Sequence, residues 1–220
     1  DRPDFETADI LVDGEKIAEV GRGLNARDVE TIDFSGRILI PGLINAHLHS
    51  WQAALRSLGS DWTLEQYLAK VHAELSSHFT HADMQIAAFA CALNQINCGT
   101  TTLGDWSHNA RTPEHADGTI RGLSESGIRA VYFHGTPHKI REAPHPVKEV
   151  DRLLDGPIAN NHLLTLGMAI PGPQYSSSAI ALADFRAARD RGLVVSMHQS
   201  GGEPGAAWEA VRDAGLIGER

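Results

Sequence analysis

From residue 38 to residue 198, strand-sized apolar runs alternate with helical patterns, and this alternation constrains the fold most. Extended runs are expected over 38–46, 100–105, 128–134, 162–170 and 193–198, recurring after the second at roughly 30–35-residue intervals. Between them, Leu64, Tyr67, Leu68, Val71 and Leu75 follow the i, i+3, i+4, i+7 spacing of an amphipathic helix. Thr80-x-x-Asp83 reads as a capping box opening a helix over 83–97, apolar almost all round and so expected to be well buried. Thr112-Pro113 opens another that stops at Gly127, Val147–Leu154 marks a third, and 178–191 a fourth ending at Gly192. Strands alternating with helices imply right-handed crossovers and a parallel sheet. Five such units suit either a complete doubly wound sheet or part of a closed barrel, which needs eight.

Before this region, Ala8–Val12 and Lys16–Val20 flank Asp13-Gly14, a strong hairpin signal, and Val29–Asp33 continues the strand-like pattern. The 220 residues are 42% hydrophobic, enough for a sizeable core. A formal net charge of −9 gives no electrostatic support for a nucleic-acid partner. Apolar runs fall far short of the ~20 residues of a membrane span, and no signal peptide is visible. Cys91 and Cys98 are the only cysteines, expected as free buried thiols, which fits a cytoplasmic protein. Of the 12 histidines, His72, His78 and His81 sit in helical, charged surroundings and are expected to be solvated.

In parallel α/β barrels, chemistry collects at the C-terminal strand ends. The first strand ends in His47-Leu48-His49, whose alternation puts both imidazoles on one face. The second leads to Asp105, Trp106 and His108, the third to His134, the fourth to Gln174 and Tyr175, and the fifth to His198 and Gln199. His47, His49 and His198 are candidate metal ligands. Trp106, His108, His134, Gln174, Tyr175 and Gln52 are candidate substrate contacts; Asp105 could equally fix its loop by local bonding.

The run Ser35-Gly36-Arg37-Ile38-Leu39-Ile40-Pro41-Gly42-Leu43-Ile44-Asn45-Ala46-His47-Leu48-His49 resembles the entry segment of the amidohydrolase superfamily. Gln52-Ala53-Ala54-Leu55-Arg56 and Cys98-Gly99-Thr100-Thr101-Thr102-Leu103-Gly104-Asp105 are similar to motifs of its branch holding triazine hydrolases and the aminohydrolases of purines, pterins and cytosine. The resemblance implies a (β/α)8 TIM-type barrel, of which residues 38–220 would supply the first five units and the remainder would lie outside this chain. Residues 1–37 would be part of a small β-sandwich. It favours the barrel over the doubly wound sheet.

The resemblance also implies metal-dependent hydrolysis of a C–N bond, deamination of a small heterocyclic substrate first, with no membrane partner; a homo-oligomer is open. Two-metal members bridge their ions with a carboxylated lysine, or sometimes a glutamate, after the fourth strand. No Lys or Glu occurs between Glu149 and Glu203, so one divalent ion is expected, zinc first and iron as the alternative. The mononuclear branch adds a histidine after strand six and an aspartate after strand eight. A bound divalent ion lowers the pKa of water from about 15.7 to about 7, supplying a nucleophile for an electron-poor ring carbon. A proton must then reach the departing amine. Related deaminases use a glutamate three residues after the fifth-strand histidine, where this chain has Gly201. Glu203, beyond a Gly-Gly pair, is the candidate proton carrier, with capping of the following helix as its competing role. C–halogen hydrolysis stays open beside deamination. The loop Pro171–Ser176 lacks a histidine that many nucleoside-type members carry, which argues against an adenosine-like substrate. The reading from another class is a non-catalytic metal- or ligand-binding barrel that has lost its proton-transfer glutamate.

Overall fold

The structure, a computed structural model, describes residues 6–25, 27–137, 143–199 and 205–217. The chain forms two units, Asp1–Pro41 and Gly42–Arg220. In the first, β1 (Asp9–Asp13) pairs antiparallel with β2 (Lys16–Gly21). The turn is Gly14-Glu15, one residue later than expected, because Asp13 still pairs with Lys16 and Gly14 takes the positive φ of +58°. The Asp9 carboxylate accepts from the amides of Gly23 and Leu24 and holds the chain leaving β2. Val29–Asp33 forms no strand.

The second unit is a five-stranded parallel sheet in sequence order: β3 (Leu43–Leu48), β4 (Thr100–Ser107), β5 (Arg129–Gly135), β6 (Leu164–Ala169) and β7 (Val194–Ser196). The predicted parallel order therefore holds. The first strand does not begin at Ile38: Pro41 has no amide to donate and restrains its predecessor, and pairing starts at Leu43. Ile38, Leu39 and Ile40 are exposed.

The helices are α1 (Leu64–Tyr67), α2 (His81–Asn97), α3 (Pro113–Ser126), α4 (Val147–Asp155), α5 (Gly172–Tyr175), α6 (Ser178–Asp190) and α7 (Ala206–Asp213). The Thr80–Asp83 capping box forms as predicted and opens α2. Gly127, at φ +76°, closes α3. On α3, Gly118 and Gly122 face α2 so closely that a Cβ on either would overlap a backbone carbonyl, of His81 and Gln85 respectively. Small residues at i and i+4 thus bring the two backbones together.

The main core joins strand and helix side chains, among them Leu103, Leu123, Tyr132, Leu153, Leu166 and Met168. Trp106, Phe133 and Ala169 form a separate buried cluster on the central strands, whereas Leu43 and Ile44 on β3 and Val194 on β7 are exposed. Not all expectations of burial hold. On α2, Met84, Ala87, Ala88 and Ala92 are buried, but Ile86, Leu93 and Ile96 lie on its open side. Cys98 is exposed and Cys91 half-buried.

The helix expected over 64–75 is broken into pieces of different pitch. Thr63 and Gln66 form a capping box at α1. A wide π-type turn over Leu68–His72 and a tight 3₁₀ turn over Leu75–His78 follow. The wide turn buries Val71 and brings the His72 ring back to Tyr67. Such turns recur where a side chain must be re-aimed for function. Among the described residues no helix is long and apolar enough to cross a membrane.

Candidate metal centre and its cavity

His47 and His49 leave the end of β3 on one face, as strand alternation requires. His198 follows β7, at the other end of the sheet order. The ligand atoms of His47, His49 and His198 lie within 4.8 Å of one another. Their ring centroids are 4.9–5.3 Å apart: 4.9 Å for His47–His49, 4.9 Å for His47–His198 and 5.3 Å for His49–His198.

The donor set fits a borderline cation. His49 Nδ1 donates to the carbonyl oxygen of Trp106 at 2.7 Å. A carbonyl only accepts, so the bond puts the His49 proton on Nδ1 and leaves the Nε2 lone pair for a ligand bond. Burial lowers the His49 pKa to about 4, with the nearby His47 and His198 adding to the fall. Burial also lowers that of His47. Both rings are therefore neutral at pH 7, the form that ligates.

Asp105 does not face the histidines. It is fully buried and accepts from the amide and hydroxyl of Ser50 at 2.9 and 2.8 Å. It thereby ties the residue after His49 to β4. Burial raises its pKa to about 6. The Asn45 amide donates to Gln95 on α2, fixing β3 from the other side.

A cavity of about 310 Å³ opens beside the histidines, with His49, His198, Trp106, His108 and Tyr175 in its wall. Its lining is largely apolar, with Leu64, Leu68 and Ile170 among the contributors. The His108 ring stacks on His49 at 4.2 Å and receives a hydrogen bond from the buried Trp51 indole at 3.0 Å. Trp106 meets His198 edge-on at 4.3 Å.

The remaining candidates fall elsewhere. Gln52 lies behind the cavity, donating to the Tyr67 hydroxyl at 2.6 Å. Gln174 accepts from Gln199 at 2.7 Å. His134 is 2% exposed and does not line the cavity; its Nδ1 lies 2.9 Å from His145 Nε2. Glu203 lies outside the described residues.

Two histidines stand out that sequence reasoning passed over. His72, expected to be solvated, lines the cavity wall, bonds to the Tyr67 hydroxyl at 2.9 Å and packs edge-on against His108. The wide turn puts it there, and helical spacing does not forecast that turn. His145 is buried between Pro144 and Pro146, its amide donating to Asp184 at 2.7 Å. The two flanking prolines were a signal that this stretch holds a fixed extended course.

Comparison with known proteins agrees with this geometry. The chain is 26% identical over 219 residues to a 5-methylthioadenosine/S-adenosylhomocysteine deaminase of Thermococcus onnurineus, covering 97% of this chain and 48% of the relative. It is 29% identical over 187 residues to a 5'-deoxyadenosine deaminase of Methanobrevibacter smithii, covering 80% and 40%. Among solved structures, a mutant atrazine chlorohydrolase from Arthrobacter aurescens TC1, complexed with zinc and atraton, superposes with a TM-score of 0.73. That match is 25% identical and covers 95% of this chain and 52% of that one. The chain thus spans about half the length of the curated relatives it matches. Since the amidohydrolase family model matches residues 38–217, the whole five-stranded unit and its three converging histidines included, the chain belongs to the amidohydrolase family.

Proposed function

We propose that this chain carries the metal-holding part of a hydrolase that removes an amine from a small heteroaromatic ring. The observation that carries the reading is the convergence of His47, His49 and His198 beside a half-enclosed cavity. The names of the deaminase relatives support it. Three imidazoles suit one divalent ion, zinc first, with iron as the alternative. When bound, that ion would supply Lewis acidity and lower the pKa of water to about 7.

The protein's own part is to hold and orient. The Trp106 carbonyl fixes the His49 ring, and the Ser50–Asp105 bonds fix the turn after it. Trp106 and Tyr175 give the cavity flat aromatic walls. Its apolar lining favours a small ring over a charged chain and keeps bulk water scarce around the reacting atoms. Proton transfer to the leaving group falls to Glu203 first, with His108 in the cavity wall as the other candidate; His134, buried against His145 and away from the cavity, drops out.

One observation favours a second reading: the chlorohydrolase likeness, together with Gly201 where related deaminases place a glutamate, fits displacement of a halide. Displacing chloride requires no protonated leaving group. The test is a screen of amino- and chloro-substituted purines, pterins, pyrimidines and triazines with zinc-loaded protein. Ammonia release supports deamination, and chloride release alone supports the second reading. Stoichiometric metal with neither product favours a non-catalytic binding role, and a protein that takes up no metal overturns the proposal.

A further inference from the structure

Two cavities meet at one side chain. The cavity of about 310 Å³ beside the histidines and a second of about 260 Å³ share Tyr67 and, among the described residues, no other. Gln52, Leu55, Leu58, Ser60 and Val71 line the second. The wall between them is the wide turn: Leu68 and His72 line the first cavity, and Val71 the second. The Tyr67 hydroxyl is held from both sides, by Gln52 of the second cavity at 2.6 Å and by His72 of the first at 2.9 Å. The Tyr67 and His72 rings also meet edge-on at 5.0 Å. The far rim of the second cavity is equally fixed. Ser57 holds a left-handed φ of +65°, strain that persists only where the surroundings impose it. A Cβ on Gly59 would overlap the Trp62 ring.

We propose that Tyr67 is a specificity-determining partition: it confines ring substrates to the first cavity, and the space behind it is a latent subsite for an apolar substituent. The inference rests on the functional reading above and narrows its substrate class to compact rings without an extended apolar arm. The second cavity has leucine and valine in its wall and, among the described residues, no charged side chain, so it suits an alkyl chain rather than a charged one. Such a chain gains about fourfold in affinity for each methylene buried. In the parent that gain is withheld, because a phenol bonded at its hydroxyl to both walls and packed on His72 does not yield to it.

The experiment measures binding of 2-amino-4-methylpyrimidine and 2-amino-4-hexylpyrimidine to zinc-loaded protein by calorimetry. Tyr67→Ala should raise the affinity ratio, hexyl over methyl, by at least about tenfold, which two methylenes buried behind the former partition supply. Leu58→Trp, at an exposed position in the second cavity's wall, should cancel that rise in the Tyr67→Ala background. In the parent background it should leave the ratio unchanged, because the second cavity is unused there. This last arm decides the matter if Tyr67→Ala does not fold. An unchanged ratio in Tyr67→Ala, a rise that survives Leu58→Trp, or a ratio lowered by Leu58→Trp alone overturns the proposal. Neither readout needs turnover, so a protein that binds rings without hydrolysing them still passes or fails here, and the deamination reading is judged separately by ammonia release.

Discussion

His49 Nδ1 lies 2.7 Å from the carbonyl oxygen of Trp106, so the end of β4 orients a side chain delivered by β3. That bond anchors the His49 ring through the atom opposite its ligand nitrogen. His47 is exposed, and His198 sits beyond the end of the short strand β7. His49→Ala should therefore weaken zinc binding by at least about 100-fold, since losing only a ring's outer partner costs 10–100-fold. Zinc competition against a chelator checks this. An affinity within a few-fold of the parent would remove His49 from the site.

Much of this arrangement was legible in the sequence. That His47 and His49 share a face follows from strand alternation. That His198 comes alongside them follows from parallel strands closing round in sequence order. The Thr80–Asp83 cap could be read because both partners lie three residues apart. Contacts joining distant residues could not. The Trp51–His108 bond spans 57 positions, and no local pattern encodes it. Leu64–Leu75 has helical periodicity, yet the wide turn at Leu68–His72 breaks it, because burial of Val71 and the Tyr67–His72 bond outweigh the weak preference for uniform pitch. Pro41 was visible in the sequence, but its effect in delaying β3 to Leu43 was overridden in the reading by the apolar run before it.

Asp105 and Ser50 are both fully buried, and one carboxylate satisfies the amide and the hydroxyl. Asp105→Ala leaves both donors without an acceptor and should cost about 3 kcal/mol of stability. Asp105→Asn keeps one acceptor and cannot ionise. Burial raises the folded pKa from 3.8 to about 6. The carboxyl's favourable contribution is thus present below pH 3.8 and lost as pH rises through about 6. Relative to the parent, Asp105→Asn should gain about 2 kcal/mol between pH 4 and pH 7. Urea denaturation at the two pH values measures it, and a constant difference would show that the carboxyl is not perturbed.

The buried His134–His145 pair should make the fold acid-sensitive. Burial lowers the pKa of His134 to about 4 and of His145 to about 3, with Arg152 adding to the fall for His134 and His134 adding to that for His145. Groups with lowered folded pKa stabilise above their unfolded value near 6.5, and that stability is lost as pH falls toward 4. Asp184 opposes this, since burial raises its pKa to about 6 and its contribution is lost on going up in pH. Two imidazoles outweigh one carboxyl. The double variant His134→Leu/His145→Leu should lose less stability than the parent between pH 6.5 and pH 4, by roughly 3 kcal/mol. Parallel stability curves would rule the pair out as the acid-labile element.

Gly122→Ala is expected to destabilise even though it improves helix propensity. Alanine in place of glycine gains up to about 1 kcal/mol in an open helix. Here the new Cβ would overlap the Gln85 carbonyl and press on Phe89 N, so α2 and α3 must move apart. Overpacking of this kind costs about 1–3 kcal/mol, and rigid backbone on both sides puts it at the upper end. The expected net loss is about 2 kcal/mol, or roughly 4–8 °C in Tm for a chain of this size. A Tm equal to or above the parent's would mean that the helices pack less closely than described.

Tyr67 separates a structural from a substrate-facing role for the His72 corner. Its hydroxyl accepts from Gln52 at 2.6 Å and is bonded to His72 Nε2 at 2.9 Å. The Tyr67 ring lines the cavity, whereas its hydroxyl is occupied by these two partners. Tyr67→Phe keeps the wall and removes the link. It should cost about 1–2 kcal/mol of stability, since Gln52 and His72 each lose a partner. It removes one hydrogen bond from the His72 ring, which packs on His108. Substrate placement should suffer more than the metal: KM is expected to rise about three- to tenfold with zinc content unchanged. Tyr67→Leu, which also removes the wall, should add a further loss. Measuring KM, kcat and zinc content for both variants checks the assignment. A stability loss with unaltered KM in Tyr67→Phe would make the corner purely structural.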